Sequence, residues 1–489
     1  MQLQELLSTL PVYKSNKQIN DLKINGIKMD HREVKQNDVF ICIKGFTVDG
    51  HIFAEQAVEK GATVIVTEEE LDINHAIIIV VPDTTRALAL LAAKYFSYPT
   101  EKFPLIGITG TNGKTTITYL LEEIFKEHGK KTALIGTIQI KIGDNSYQVK
   151  NTTPDALHLQ QTFNRMVEEK VDIGMMEVSS HALDLGRVYG TDFDIAVFTN
   201  LSQDHLDYHH DMEDYLRAKT LLFTGLGNSY KQEKYAVLNA DDKHSKKIKQ
   251  STAQPIVTYG IDNESDVMAT NIDIQLRHTS FTLKTPFGNI DITSKLIGAF
   301  NIYNMLAAAS VALLRKIPLS TIKAALEKIQ GVDGRFEQVT EGQNFAVIVD
   351  YAHTPDSLEN VLQTIKEFAE RKVYVVVGTG GDRDRTKRPL MAEVALKYSD
   401  TAIFTSDNPR TEDPTAILND MTKDLTNTNY TVIENRKEAI NYAISLADSG
   451  DVVLIAGKGH ETYQEINGVR YDFDDRVIAS EAIKQKGTI

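Results

Sequence analysis

Residues 105–116 read LIGITGTNGKTT, a spacing suited to gripping a polyphosphate. The apolar run from Leu105 to Ile108 has the composition of a buried parallel strand. Gly110, Thr111, Asn112, Gly113, Lys114, Thr115 and Thr116 follow, and then a helical pattern sets Leu120, Leu121, Ile124 and Phe125 on one face. Glycines let the backbone approach a ligand closely, and free N–H groups at the helix start face an anion. Lys114 adds a point charge for outer phosphates, and the Thr115 hydroxyl can reach a magnesium ion. The usual phosphate loop has a glycine where Ile108 stands, so this one is a shortened variant.

Further chemistry-bearing residues stand at the ends of other apolar runs. Glu177-Val178-Ser179-Ser180-His181 follows GMM. A carboxylate there is placed to hold magnesium; the alternative is a surface turn with a helix-capping serine. Residues 200–210, NLSQDHLDYHH, are unusually dense in His and Asp. They suggest a metal or phosphate site, with His205 the leading candidate. Asp350 to Pro355 closes the run AVIV, and Gly380 to Pro389 closes VYVVVG. The second is a basic, glycine-led loop of the kind that grips carboxylates or phosphates, or else a solvated charged loop. Asp407-Asn408-Pro409-Arg410 closes TAIFTS, and Gly457-Lys458-Gly459-His460-Glu461 closes VVLIA. Arginines fixing carboxylates, with Glu461 holding an ammonium, would make a site for a zwitterion. Lys219 lies on a helical stretch, DYLRAKTLLF, with Tyr215, Leu216 and Leu222 on its apolar face. By itself it reads as a surface lysine with its stem along the helix.

The elements that must carry these residues alternate. Strands are expected at 132–137, 172–178, 194–200 and 235–240, with helices between them, which implies a doubly wound parallel sheet. Residues 266–297 switch to period-two alternation and read as antiparallel strands before a helix near Asn301. Beyond Gly334 the runs AVIVDYA, VYVVVG, TAIFTSD and VVLIAG again alternate with helices, as in a Rossmann-like domain. Earlier, a strand ends at 79–82 and Arg86 to Phe96 forms an amphipathic helix. The chain is therefore expected to be α/β with three domains, 1–98, 99–332 and 333–489.

A net charge of −14 argues against sequence-independent binding to nucleic acid or to an anionic membrane. The single cysteine, Cys42, excludes an intrachain disulfide and reads as a small buried hydrophobe. The N-terminal residues lack a signal-peptide pattern, and no apolar run approaches the roughly 18 residues of a spanning helix. A cytoplasmic, monomeric protein is expected.

Taken together, the segments at 109–116, 177–180, 200–209, 298–301, 334–337 and 350–355 resemble the Mur ligase family over essentially the whole chain. The resemblance implies ATP-dependent amide formation on a peptidoglycan precursor, through an acyl phosphate. ATP would be held by Gly110 to Thr116 with Asn301, Arg335 and Asp350. Magnesium ions would be held by Thr115, Glu177, His205 and Lys219, the last as a carbamate (N6-carboxylysine). His31, Thr47, Asn151, Thr152, Thr153, Ser179 and Arg187 would contact a UDP-N-acetylmuramoyl-L-alanyl-D-glutamate substrate in a site whose uridine end lies in the N-terminal domain. The family's usual Asp-Ser-Arg there is Asp30-His31-Arg32 in this chain. Arg383, Asp407, Asn408, Pro409, Arg410, Gly457 and Glu461 would bind the incoming amino acid. The 407–410 tetrapeptide resembles that of members adding meso-diaminopimelate, whereas lysine-adding members typically depart from it at the arginine. A lysine-adding relative or a folylpolyglutamate synthetase-like ligase remains the alternative. Closure of the third domain over the second is implied, with Lys114, Lys219 and His205 nearest the chemistry.

Overall fold

A computed structural model describes residues 1–489 except 20, 46–47, 150, 229–232, 276–277, 427 and 488–489. Three main sheets follow one another along the chain. The first joins Gly26–Lys28, Asp38–Ile41, Ala62–Thr67 and Ile77–Val80 in parallel, with Lys14–Ser15 antiparallel at one edge. Helix Thr84–Tyr95, capped by Asp83, covers this sheet. Its Leu88 and Leu91 share a core with Leu157 of helix Ala156–Glu168, which docks the first sheet on the second.

The second sheet has eleven strands, and Leu105–Thr109 lies near its centre. Its neighbours are Ile173–Glu177 and Ile195–Phe198, both parallel to it and fully buried. Helices on both faces explain why these strands are apolar throughout rather than alternating. From the central strand the chain moves to one flank, through Thr132–Ile135, and then crosses to the other. The crevice at that reversal opens at the strands' carboxyl ends, where Gly110, Glu177 and Asn200 emerge. Helix Lys114–Glu127 packs on helix Ala299–Leu314 through Ile117, Leu121, Met305 and Ala308. The expected antiparallel segment comprises Val267–Ile274, Thr279–Thr285 and Gly288–Ser294.

The third sheet orders Ala346–Asp350, Val452–Ala456, Val373–Val377, Thr401–Phe404 and Tyr430–Val432 in parallel. Glu337–Gln338 adds an antiparallel edge. Asp350 and Val377 both align with Ala456, so the loops after three strands open at the same level. A hairpin outside the sequence expectations, Tyr463–Ile466 with Val469–Asp472, packs below those loops. Cys42 is buried, and burial pushes its thiol up to about 12.

Candidate active site

The phosphate loop is shaped by two glycines that no other residue could replace without strain. Gly110 and Gly113 have φ of 148° and 87°. A Cβ on the first would collide with the Thr199 hydroxyl, and one on the second with Asn304 Oδ1. Lys114 Nζ curls back to donate to the carbonyls of Gly110 (2.9 Å) and Thr111 (2.8 Å). Lys219 Nζ donates to the same Gly110 carbonyl at 2.8 Å. Lys219 is 1% exposed, which corrects the surface reading of its helix. Its stem runs into the sheet, and its Nζ lies 4.3 Å from the centre of the Tyr215 ring. Burial holds both lysines below their usual range, and the neighbouring Lys114 lowers Lys219 further. A neutral buried amine is the form that can add carbon dioxide, so Lys219 suits a carbamate.

Glu177 is buried and fully engaged. Its Oε2 accepts from the hydroxyls of Thr115 (3.1 Å) and Thr137 (2.9 Å), and Oε1 from the Thr137 amide (2.9 Å). Thr115 and Glu177 thus offer adjoining hard oxygen donors, the type magnesium takes alongside phosphates and water. Arg335 reaches in from the third domain, its Nη2 3.2 Å from Thr115 Oγ1 and its guanidinium 4.7 Å from the Tyr351 ring centre. Its buried Nε has no partner, as suits a donor aimed at an anion. Asp350 accepts from the Phe336 amide at 2.7 Å, fixing the turn that carries Arg335. Asn301 is turned inward on Ile297 O and Asn304.

His205 sits in left-handed backbone, with φ of 55°. Such strain is uncommon outside glycine and gathers at functional sites. Its Nε2 lies 3.4 Å from Asp204, whose other oxygen accepts from Lys387 of the third domain at 3.0 Å. Burial lowers His205 to about 4, helped by His181, Lys114 and Lys219 and opposed by Asp204, leaving the neutral imidazole that metals bind. His209, wholly buried, binds Ser180 Oγ and donates its backbone N–H to His205 O, bracing the loop. Among the described residues no three His, Cys, Asp or Glu side chains converge as a ready metal cage. Thr115 and Glu177 are therefore joined, while His205 and Lys219 flank them with other partners.

Four of the expected sugar-peptide residues form one cluster. Thr153 Oγ1 donates to the Glu177 carbonyl (2.9 Å) and accepts from the Ser179 amide (3.1 Å). Arg187 donates to Thr153 O at 3.1 Å, and Thr152 meets Thr137 at 3.1 Å. Ser179 also caps helix Ser180–Asp184, so the capping alternative is realised beside the carboxylate. Asn151 is exposed next to this cluster. His31 stands apart by the first sheet, stacked 4.3 Å from Phe53. Thr47 lies outside the described residues.

Residues of the expected zwitterion site come together at the carboxyl ends of the third sheet's strands. Asn408 Nδ2 donates to Glu461 Oε2 at 2.8 Å. Gly457 is required there, because a Cβ would lie 2.7 Å from Asp407 Oδ2. Arg410, at φ 52°, donates Nη1 to Gly381 O at 2.6 Å. Pro409 lies between these two contacts, in the same buried turn. Gly334, which precedes Arg335, lies so close to His460 that a Cβ would overlap its backbone nitrogen. The basic loop is less free than its composition suggests. Arg385 and the buried Arg388 are paired with Glu412 and Asp420. Lys387 pairs with Asp204, and Arg383 stays exposed, donating to Asp382 O.

Family models match three stretches: "Mur ligase family, catalytic domain" over 23–96, "Mur ligase middle domain" over 108–312 and "Mur ligase, glutamate ligase domain" over 334–459. A UDP-N-acetylmuramoyl-L-alanyl-D-glutamate--2,6-diaminopimelate ligase from Oceanobacillus iheyensis is 59% identical, with 100% of each chain covered. The chain belongs to the Mur ligase family. A Bacillus cereus protein of the same name is 58% identical over 94% of each chain. A solved structure of a UDP-N-acetylmuramoyl-L-alanyl-D-glutamate--2,6-diaminopimelate ligase superposes with a TM-score of 0.72 at 35% identity, covering 100% of both chains.

This Mur ligase also places in the site residues that its sequence did not single out. Asn304 lies one helical turn from Asn301 against Gly113, a spacing that could have flagged it. Asp356 accepts from Asn112 Nδ2 (3.1 Å) and Ser202 Oγ (2.6 Å), joining third domain to second. Thr137 orients Glu177 from the loop after the neighbouring strand Thr132–Ile135, which ends two residues short of the expected 132–137, a contact with no signature in local sequence.

Proposed function

We propose that this chain is an ATP-dependent ligase of peptidoglycan synthesis that joins 2,6-diaminopimelate, in its meso form, to the D-glutamate of UDP-N-acetylmuramoyl-L-alanyl-D-glutamate. The observation that carries the reading is the Asp407–Arg410 loop tied to Glu461, in a chain 59% identical end to end to a relative of that name. The γ-phosphoryl group of ATP passes to the glutamyl side-chain carboxylate. The amine then attacks the acyl phosphate and inorganic phosphate leaves. Lys114 and Arg335 neutralise the transferring group, Asn301 and Asp350 support the nucleotide side, and Gly110 to Thr116 hold the phosphates. Magnesium bound at Thr115 and Glu177, with His205 and a Lys219 carbamate, supplies further charge neutralisation. Thr152, Thr153, Ser179 and Arg187, with Asn151, His31 and Thr47, hold the sugar peptide. Arg410 and Arg383 meet the distal carboxylate, with the remaining Asn408 N–H available to a carboxylate, while Glu461 and Asp407 meet the ammonium groups.

The reading divides the chain at 98/99 and 332/333, supported by three main sheets and three family matches. Among the described residues no helix is long and apolar enough to cross a membrane. The reading further assigns a monomer acting in the cytoplasm, serving cell shape and division. Phosphate release with the UDP-sugar dipeptide and either meso-diaminopimelate or L-lysine tests it. Strong release with the first alone is expected; equal use of L-lysine would reduce the assignment to a general amide ligase.

A further inference from the structure

Lys458 has no place in the chemistry above, yet its setting is unusual. Its side chain is 0% exposed, at the end of strand Val452–Ala456 and inside the amino-acid pocket. Nζ donates to Asn408 Oδ1 at 2.9 Å and to Glu461 Oε2 at 3.0 Å, and lies 5.6 Å from the centre of the Tyr463 ring. Asn408 Nδ2 donates to that same Glu461 oxygen, and the Glu465 amide donates to Asn408 Oδ1 at 2.9 Å. Two donors therefore hold one oxygen of Glu461 and leave Oε1 for a ligand. Two donors also fix which way the Asn408 amide faces.

A buried ammonium is costly unless paired, so its retention here calls for a reason beyond packing. Charge supplies one. Asp407 and Glu461 are balanced by Lys458 and Arg410. L-lysine carries one more net positive charge than 2,6-diaminopimelate near neutral pH. A pocket without Lys458 is more negative and favours the more cationic amino acid.

We propose that Lys458 is a positioning and specificity-determining residue: it aims Glu461 and Asn408 at the incoming amino acid and sets the pocket charge against L-lysine. The proposal deepens the diaminopimelate reading and rests on it. Lys458→Met, close in length and apolar, is compared with the unmutated ligase in steady-state kinetics. The KM for diaminopimelate should rise about 10- to 100-fold, with the KM values for ATP and the UDP-sugar dipeptide unchanged. The ratio of kcat/KM for diaminopimelate over L-lysine should fall. Because Lys458 acts through Glu461, the same change in a Glu461→Gln background should add little. An unmoved diaminopimelate KM, an unchanged ratio or full additivity would overturn the proposal. If Lys458→Met does not fold, Lys458→Gln keeps one donor and should fall between; unmutated kinetics there would overturn it equally. Failure of the unmutated chain to use diaminopimelate would instead sink the functional reading.

Discussion

The loop at 110–116 and the proposed amino-acid pocket handle charge in opposite ways. At the loop, Lys114 and Lys219 both point at one carbonyl, that of Gly110, with Arg335 beside them. Lys114 disfavours a charge on Lys219, and Glu177 is taken up by threonine hydroxyls. In the pocket, Lys458 meets Glu461 and Asn408 directly. One region keeps cationic groups in reserve until an anion arrives, and the other is already shaped, with Lys458 paired with Glu461. A site for phosphoryl transfer gains from unspent positive charge, whereas a site that selects between similar amines gains from fixed geometry.

The largest test of this contrast is Lys114→Ala. Ligation should fall about 1,000-fold or more, since a charge on the transferring group is lost. In the ligand-free protein its melting temperature should stay about level, because Gly110 and Gly113 rather than the Lys114 charge shape the loop; a clear drop would break the contrast. Arg410→Ala comes next. The KM for diaminopimelate should increase by about 2–5 kcal/mol equivalent, leaving an unpaired carboxylate on the ligand. ATP and UDP-sugar dipeptide should bind as before, and unchanged amino-acid kinetics would remove Arg410 from the pocket. Lys219→Ala should lose activity about 10- to 100-fold and recover part of it with added short-chain carboxylates. Full activity without such acids would return Lys219 to a purely structural role. The smallest effect belongs to Asp356→Ala, which removes bonds to Asn112 and Ser202. A rise of a few-fold in the KM for ATP is expected, in line with about 1 kcal/mol per hydrogen bond, and nucleotide titration measures it.

What the sequence revealed depended on whether chemistry and neighbours lay on one segment. The loop at 109–116 was legible because strand, glycines, lysine and helix are contiguous. Glu177 was legible because a carboxylate ending a buried strand needs a reason to be there. Lys219 misled: three residues on its helix gave an apolar face, but nothing local said that the lysine points under Gly110. The basic loop misled in the other direction, since Glu412 and Asp420, some thirty residues on, neutralise Arg385 and Arg388. Thr137 and Asp356 act across strands and across domains, where one-dimensional spacing carries no signal.

Gly334 and Arg335 are neighbours in sequence but serve different regions. Gly334 rests against the backbone of His460, beside Glu461, while Arg335 touches Thr115 in the phosphate loop. A shift of this dipeptide is therefore felt at both ends at once. Whatever free energy couples nucleotide and amino acid through it must be the same in either direction. If ATP tightens the hold on the amino acid by some factor, the amino acid must tighten the hold on ATP by that factor too.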